Sequence, residues 1–291
     1  MKSKSKEILL QIGPFSVLLE SSLCAVIESV NNLYADFTIL TKSPVLFTDF
    51  HIRIDRANFY RGYCRSQVQC YIDGKTPFKP LPLDQAFPFF EWGLNWVIAS
   101  HVHYYLLVHA AVVEKDGHVL ILCGKPGAGK STLCAALSCH GWRLFSDEMA
   151  VIDLVTNEII PCVRPVSLKN KAIDIISELS PGTVFGVSYK DTAKGTLSHM
   201  KPSKYSVENG DVRAFAKWVV FPQYKHGAAT SLKELSKGQT VIELAKNSFN
   251  YNSLGIQGFN SLCDLVEGSH CYEFEYSDLN EAISLFDGLP V

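Results

Sequence analysis

The octapeptide Gly124-Lys125-Pro126-Gly127-Ala128-Gly129-Lys130-Ser131 joins the apolar run 119–123 to the helix-forming stretch 132–140, and no other feature limits the fold as tightly. The pattern Gly-x-x-x-x-Gly-Lys-Ser arises by chance in a chain of this length on the order of one time in a hundred. Small residues let consecutive backbone N–H groups converge on an anion, and the following helix turns its positive end toward the same point. Lys130 would reach the terminal phosphates of a nucleotide, and the Ser131 hydroxyl would sit on Mg²⁺. Gly124, Lys125, Pro126, Gly127, Ala128, Gly129, Lys130, Ser131 and Thr132 are therefore the candidate nucleotide-contacting residues.

Charge and composition remove other classes. With 27 basic and 29 acidic residues the net charge is −2, which offers no footprint for nucleic acid or an anionic membrane. No apolar run approaches the length of a membrane span. The basic start Met1-Lys2-Ser3-Lys4-Ser5-Lys6 precedes an apolar stretch broken by Gln11 and without a small-residue cleavage site, so it does not read as a signal peptide. The nine cysteines include no C-x-x-C pair and lie mostly in apolar segments, as expected of small hydrophobes in a reducing cytoplasm. The scattered histidines give no zinc-like spacing, and no structural metal is expected.

The chain divides at Pro77, Pro80 and Pro82. Residues 1–82 read as a β-rich N-terminal region, with strands such as Phe15-Ser16-Val17-Leu18-Leu19 and Gln67-Val68-Gln69-Cys70-Tyr71-Ile72 and a turn at Asp73-Gly74. Residues 83–291 read as the catalytic domain. It opens with a helix over 83–103 that carries Phe87, Phe90, Leu94 and Val97 toward a core, with Trp92 and Trp96 also assigned to packing. A strand over 105–113, with His109 at its middle, then turns at Lys115-Asp116-Gly117 into the strand that feeds the Gly-rich loop. Doubly wound nucleotide folds place parallel neighbours there, so this hairpin points to a mixed sheet. Further strands are expected over 142–145, 149–153, 158–160 and 216–221, the last ended by Pro222. Residues 182–210 read as a long loop or flap, and helices are expected over 236–249 and 277–286.

Phosphoryl transfer needs one carboxylate near the metal and one near the acceptor hydroxyl. Asp147 and Glu148 are the candidates, since they directly follow a strand one element after the loop helix. His109 is open to two uses, a core histidine or a site residue. Arg164, Lys169 and Asn170, and Lys194 with His199, are candidate substrate or phosphate contacts.

Taken together, Val108-His109-Ala110-Ala111-Val112-Val113, the Gly-Lys-Pro-Gly-Ala-Gly-Lys-Ser-Thr loop and Leu144-Phe145-Ser146-Asp147-Glu148 resemble the catalytic core of HPr serine kinases. The pattern is closer still to the HPr-kinase-related "kinase A" proteins, through Arg164-Pro165-Val166-Ser167-Leu168-Lys169-Asn170, Lys194-Gly195-Thr196 and Asn247-Ser248-Phe249-Asn250-Tyr251. The resemblance implies an α/β P-loop kinase core of the HPr kinase/phosphoenolpyruvate carboxykinase type, with a β-rich N-terminal region. It implies His109, Asp147 and Lys130 as catalytic residues, Asp147 as the base, and Ser131 with Glu148 at the metal. ATP and Mg²⁺ are the implied cofactors, and the implied acceptor is a hydroxyl, foremost serine of a peptide, protein or small molecule. A homo-oligomer is compatible with it. Where HPr kinases usually carry two aspartates this chain has Asp147-Glu148, and its C-terminal part differs, so HPr itself is not the expected acceptor. The alternative is a nucleotide-binding switch or partner-binding module with little catalysis.

Overall fold

The computed structural model describes residues 5–40, 47–57 and 66–290; Cys64 lies outside them. The N-terminal strands β1 (Lys6–Ile12), β2 (Phe15–Ser21), β3 (Ile39–Leu40), β4 (Phe50–Arg56), β5 (Gln67–Ile72) and β6 (Leu81–Pro82) form one sheet in the order β3-β1-β2-β4-β5-β6. The β2–β4 pair is parallel because helix α1 (Cys24–Leu33), which the β-rich reading missed, carries the chain back between them. Helix α2 (Ala86–His101) follows and packs on β4 and β5 with Phe87, Phe89 and Phe90 buried.

The central sheet contains β8 (Ala110–Lys115), β9 (His118–Cys123), β10 (Arg143–Ser146), β16 (Phe215–Tyr224), β17 (Ser231–Glu234) and β18 (His270–Tyr276), in the order β10-β8-β9-β16-β18-β17. Its inner strands read as continuous apolar runs because both faces are buried. Ala111, Val113, Leu120, Leu122 and Val220 face one apolar cluster, while Ala110, Val112, Val119, Ile121 and Val219 face another. Helices α3 (Lys130–Cys139) and α8 (Leu279–Asp287) cover the first face; α6 (Lys237–Lys246) and α7 (Tyr251–Glu267) cover the second. The first cluster continues without a break into α1, α2 and the N-terminal sheet.

The expected hairpin is present: β8 and β9 are antiparallel, joined by Asp116 and Gly117, both at positive φ. That is the backbone a two-residue hairpin turn needs. Beyond β9 the sheet turns parallel, β9 to β16 and β16 to β18, so it is mixed as expected. Two small sheets flank it, β12-β11-β7 and β13-β15-β14, built from β7 (Tyr105–Val108), β11 (Ala150–Asp153), β12 (Ile159–Ile160), β13 (Val166–Lys169), β14 (Tyr189–Thr192) and β15 (Gly195–Met200).

Several expectations change. Residues 182–210 are not a long loop: β14, β15 and α5 (Lys204–Glu208) organise them, and Ser198, His199 and Met200 are buried against β13. Pro222 does not end β16, which runs on to Tyr224. From Phe221 that strand pairs only with β18, and such a free edge is where a sheet tolerates proline. The helix read over 83–103 is a 3₁₀ turn, Leu83–Gln85, followed by α2. Helix α7 went unread because Gly255, at φ 54 and ψ −128, interrupts its period. Helix α4 (Lys171–Leu179) completes the set. Among the described residues no helix is long and apolar enough to cross a membrane.

Candidate active site

Two bends in the chain create the site. β7 and β8 are one stretch bent at His109, and β10 and β11 are another bent at Asp147-Glu148-Met149. Val108 pairs with Ala150 on one side of the bends and Val112 with Ser146 on the other, so the bends lie opposite one another. His109 is therefore not mid-strand: it sits where the chain leaves one sheet for the next. Its N–H donates out of the ladder to the Asn247 carbonyl at 2.8 Å. The strand that the carboxylates follow, β10, is an antiparallel edge of the central sheet. Ser146 folds their bend, its hydroxyl accepting from the N–H groups of Glu148 at 3.3 Å and Met149 at 3.2 Å.

The electrostatics follow from this burial. Asp147 is 4% exposed and its Oδ2 accepts the Ser167 N–H at 2.8 Å. Burial, and next the charge of Glu148, push its pKa up to about 7, against the Ser167 N–H and the Arg164 charge. His109 Nδ1 lies 3.0 Å from the Glu148 carbonyl oxygen and 3.8 Å from its carboxylate Oε2. A carbonyl oxygen only accepts, which assigns the proton to Nδ1 and leaves Nε2 as an acceptor. Burial lowers the His109 pKa, Glu148 opposing and Lys130 assisting, so the ring is neutral at pH 7.

The Gly-rich loop leaves β9 at Cys123 and enters α3 at Lys130. Gly124, Gly127 and Gly129 all have positive φ, the last at 92° capping the helix. At Gly129 a Cβ would come 2.5 Å from the Tyr276 Oη, so only glycine fits there. Lys125, Pro126 and Gly127 are exposed, while Ala128, Ser131 and Thr132 are half-buried. Lys130 folds over the loop, its Nζ donating to the carbonyls of Gly124 at 2.6 Å and Lys125 at 3.2 Å. Burial lowers its pKa.

A cavity of about 850 Å³ opens beside these groups. Asp147, Glu148, His109 and Phe249 line it, together with Trp92, Asn95 and Trp96 of α2 and with Lys169 and Lys194. Arg164 also lines it, 3% exposed, with Nη2 donating to Asn95 Oδ1 at 2.6 Å and Nη1 3.7 Å from Glu91 Oε2. Glu91 Oε1 in turn accepts the Tyr34 hydroxyl at 2.6 Å. His199 on β15 also lines the cavity; burial drops its pKa to about 3, so it is a neutral group. Asn170 supports the rim. At φ 52 and ψ −130 it holds a backbone that non-glycine residues rarely adopt, and its Oδ1 accepts the Thr196 N–H at 3.0 Å. That bond pins the β14–β15 tip carrying Lys194.

The sequence-derived residues thus fall into two groups that meet. The loop from Gly124 to Thr132 forms the first; His109, Asp147, Glu148, Arg164, Lys169, Lys194 and His199 line the cavity that forms the second. Asn170 acts behind them through the hairpin tip. Sequence reasoning missed Glu91, Asn95 and Ser167, and assigned Trp92 and Trp96 to packing. A second stripe on α2, residues 88, 92, 95, 96 and 99, has helical spacing opposite the buried phenylalanines and was the available signal. Phe249 reaches the site because Asn250 anchors its segment to β7, Oδ1 accepting the Leu107 N–H at 3.0 Å. Its ring meets His109 edge-on at 5.8 Å.

No family model matches the chain, and no curated protein matches it. Among solved structures it is similar to the HPr(Ser) kinase/phosphatase from Coxiella burnetii, at 12% identity, over 62% of this chain and 90% of that one, with a TM-score of 0.28. At that score the likeness carries no weight for fold or function.

Proposed function

We propose that this chain is an ATP- and Mg²⁺-dependent phosphotransferase that moves the γ-phosphoryl group to a hydroxyl, foremost that of serine. Residues 83–291 are the catalytic unit, of the P-loop kinase type, and 1–82 a β-rich region built onto it. The carrying observation is Asp147: a buried carboxylate with a pKa of about 7, fixed by the Ser167 N–H and lining a cavity with His109 and Glu148, both of which interact electrostatically with the loop lysine, Lys130. A general base works best when its pKa lies near the ambient pH.

In this assignment Asp147 takes the proton from the acceptor hydroxyl as its oxygen attacks the γ-phosphorus, and the bond to the β–γ bridging oxygen breaks to release ADP. Lys130 neutralises charge on the phosphates, and Lys169 and Lys194 supply further positive charge from the cavity side. His109, neutral with Nε2 as acceptor, positions the acceptor or a water. The Ser131 hydroxyl and Glu148 carboxylate are hard oxygen donors of the kind that would hold Mg²⁺. When bound, Mg²⁺ neutralises the charge that develops on the phosphates.

The test is label transfer from γ-labelled ATP to fractionated host extract, with Lys130→Ala as control. Asp147→Asn should abolish transfer, a loss of at least about 10²-fold, while nucleotide binding persists. Normal turnover in that variant removes Asp147 from the mechanism. Tight nucleotide binding with no transfer to any acceptor would make the chain a nucleotide-dependent switch instead.

A further inference from the structure

The glycine loop is absent from the cavity lining, whereas both carboxylates and His109 belong to it. The cavity is therefore built around the carboxylates and His109 rather than around the glycine loop. Its volume, about 850 Å³, is within the range that encloses a drug-sized molecule. Pro88, Trp92, Trp96 and Ala99 give one wall an apolar surface, with Leu197 and Phe249 also lining the space.

Trp92 is the informative residue. It is 47% exposed although buried phenylalanines surround its backbone on α2, and its ring is already held at the cavity wall. Phe78 lies 4.4 Å from it and Phe89 stacks on it at 5.7 Å. Trp96 stands edge-on to the same Phe78 at 5.1 Å. A rigid aromatic platform left half-open in the same cavity as the candidate base is an arrangement that takes a planar apolar group, since offset stacking adds about 0.5–1.5 kcal/mol to area burial.

Resting on the kinase reading above, we infer that the acceptor is an alcohol with a planar apolar body, which packs on Trp92 and Trp96 while its hydroxyl is delivered to Asp147. A free aromatic alcohol and a serine flanked by an aromatic side chain share this chemistry.

Ligand-observed NMR titration of the intact chain, in the presence of Mg²⁺ and ADP, separates them. The probes are 2-phenylethanol, N-acetyl-Ser-Phe-amide, N-acetyl-Ser-Gly-amide and glycerol. The aromatic probes should bind, and the two without a ring should bind at least about tenfold more weakly. Trp92→Ser, at an exposed position, should weaken the aromatic probes about tenfold, and Trp92→Phe should restore them. Tighter binding of 2-phenylethanol points to a free alcohol, tighter binding of the Ser-Phe probe to a peptide; either supports the inference. Equal affinity for the Ser-Phe and Ser-Gly probes, or affinity unchanged in Trp92→Ser, overturns it. Label transfer to the same probes from γ-labelled ATP is read separately. Transfer to none of them, with aromatic binding intact, sinks the kinase reading alone; equal transfer to all sinks the aromatic preference alone.

Discussion

Asp147 carries a thermodynamic signature at the scale of a single residue. Its folded pKa, about 7, lies above the ordinary carboxylate value of 3.8, because burial disfavours the charged form. The raised value contributes stability that is complete below about pH 4 and is lost as the pH rises through about 7. Asp147→Asn keeps the acceptor for the Ser167 N–H and removes the buried charge. It should therefore raise Tm by several degrees near pH 8 and give no gain near pH 4, as thermal melts across pH would show. Activity should run the other way, rising as pH climbs through about 7 and the carboxylate ionises. A site residue that costs stability in order to be reactive is the usual trade between function and stability.

Among elements, the two glycine turns flanking β9 separate conformation from contact. Gly117 in the β8–β9 turn has φ 81 and open space where a Cβ would stand, so Gly117→Ala should cost only the left-handed strain, about 1–2 kcal/mol. Gly129 has φ 92 and the Tyr276 hydroxyl 2.5 Å from the same point, so Gly129→Ala must also displace Tyr276 or the start of α3. The second variant should be destabilised more in urea titrations and should lose the rise in Tm on adding ATP, which Gly117→Ala keeps. The β8–β9 hairpin was legible because Asp116-Gly117 is a local turn signal between two apolar runs. The β14–β15 hairpin was read as a loop, since its strands are short and partly polar and β13, the outer partner of β15, pairs with residues 28 to 34 positions away, as Lys169 with Leu197 and Val166 with Met200.

At the scale of the whole molecule, the N-terminal region and the candidate site share one buried network. Tyr34 follows α1, Glu91 lies on α2 and Arg164 precedes β13, yet a hydrogen bond and an ion pair link the three in turn. Burial raises the Glu91 pKa, with Arg164 opposing. Glu91→Ala would leave the Arg164 guanidinium, 3% exposed, without its carboxylate. Breaking a buried pair from one side should cost on the order of 3–5 kcal/mol, read as a lower urea midpoint for the entire chain rather than for 1–82 alone. Two separate transitions, with only one affected, would show that the shared core does not couple the regions.

The local sequence alone determined the glycine loop, its strand and helix, the hairpin before it, the buried strands of the central sheet and the charged residues able to do chemistry. Each is written in neighbouring residues, as a motif, a turn or an apolar period. Only tertiary structure decided what those residues face. His109 and Asp147 are nearly forty positions apart, one read as mid-strand and the other as following a strand, and they meet because two strands bend at the same level in passing between sheets. Trp92 looks like core until the chain folds and leaves its ring, packed on Phe78 and Phe89, still half-exposed to a cavity. Contacts of that kind depend on pairing register and helix orientation, which distant segments set together and no short stretch of sequence encodes.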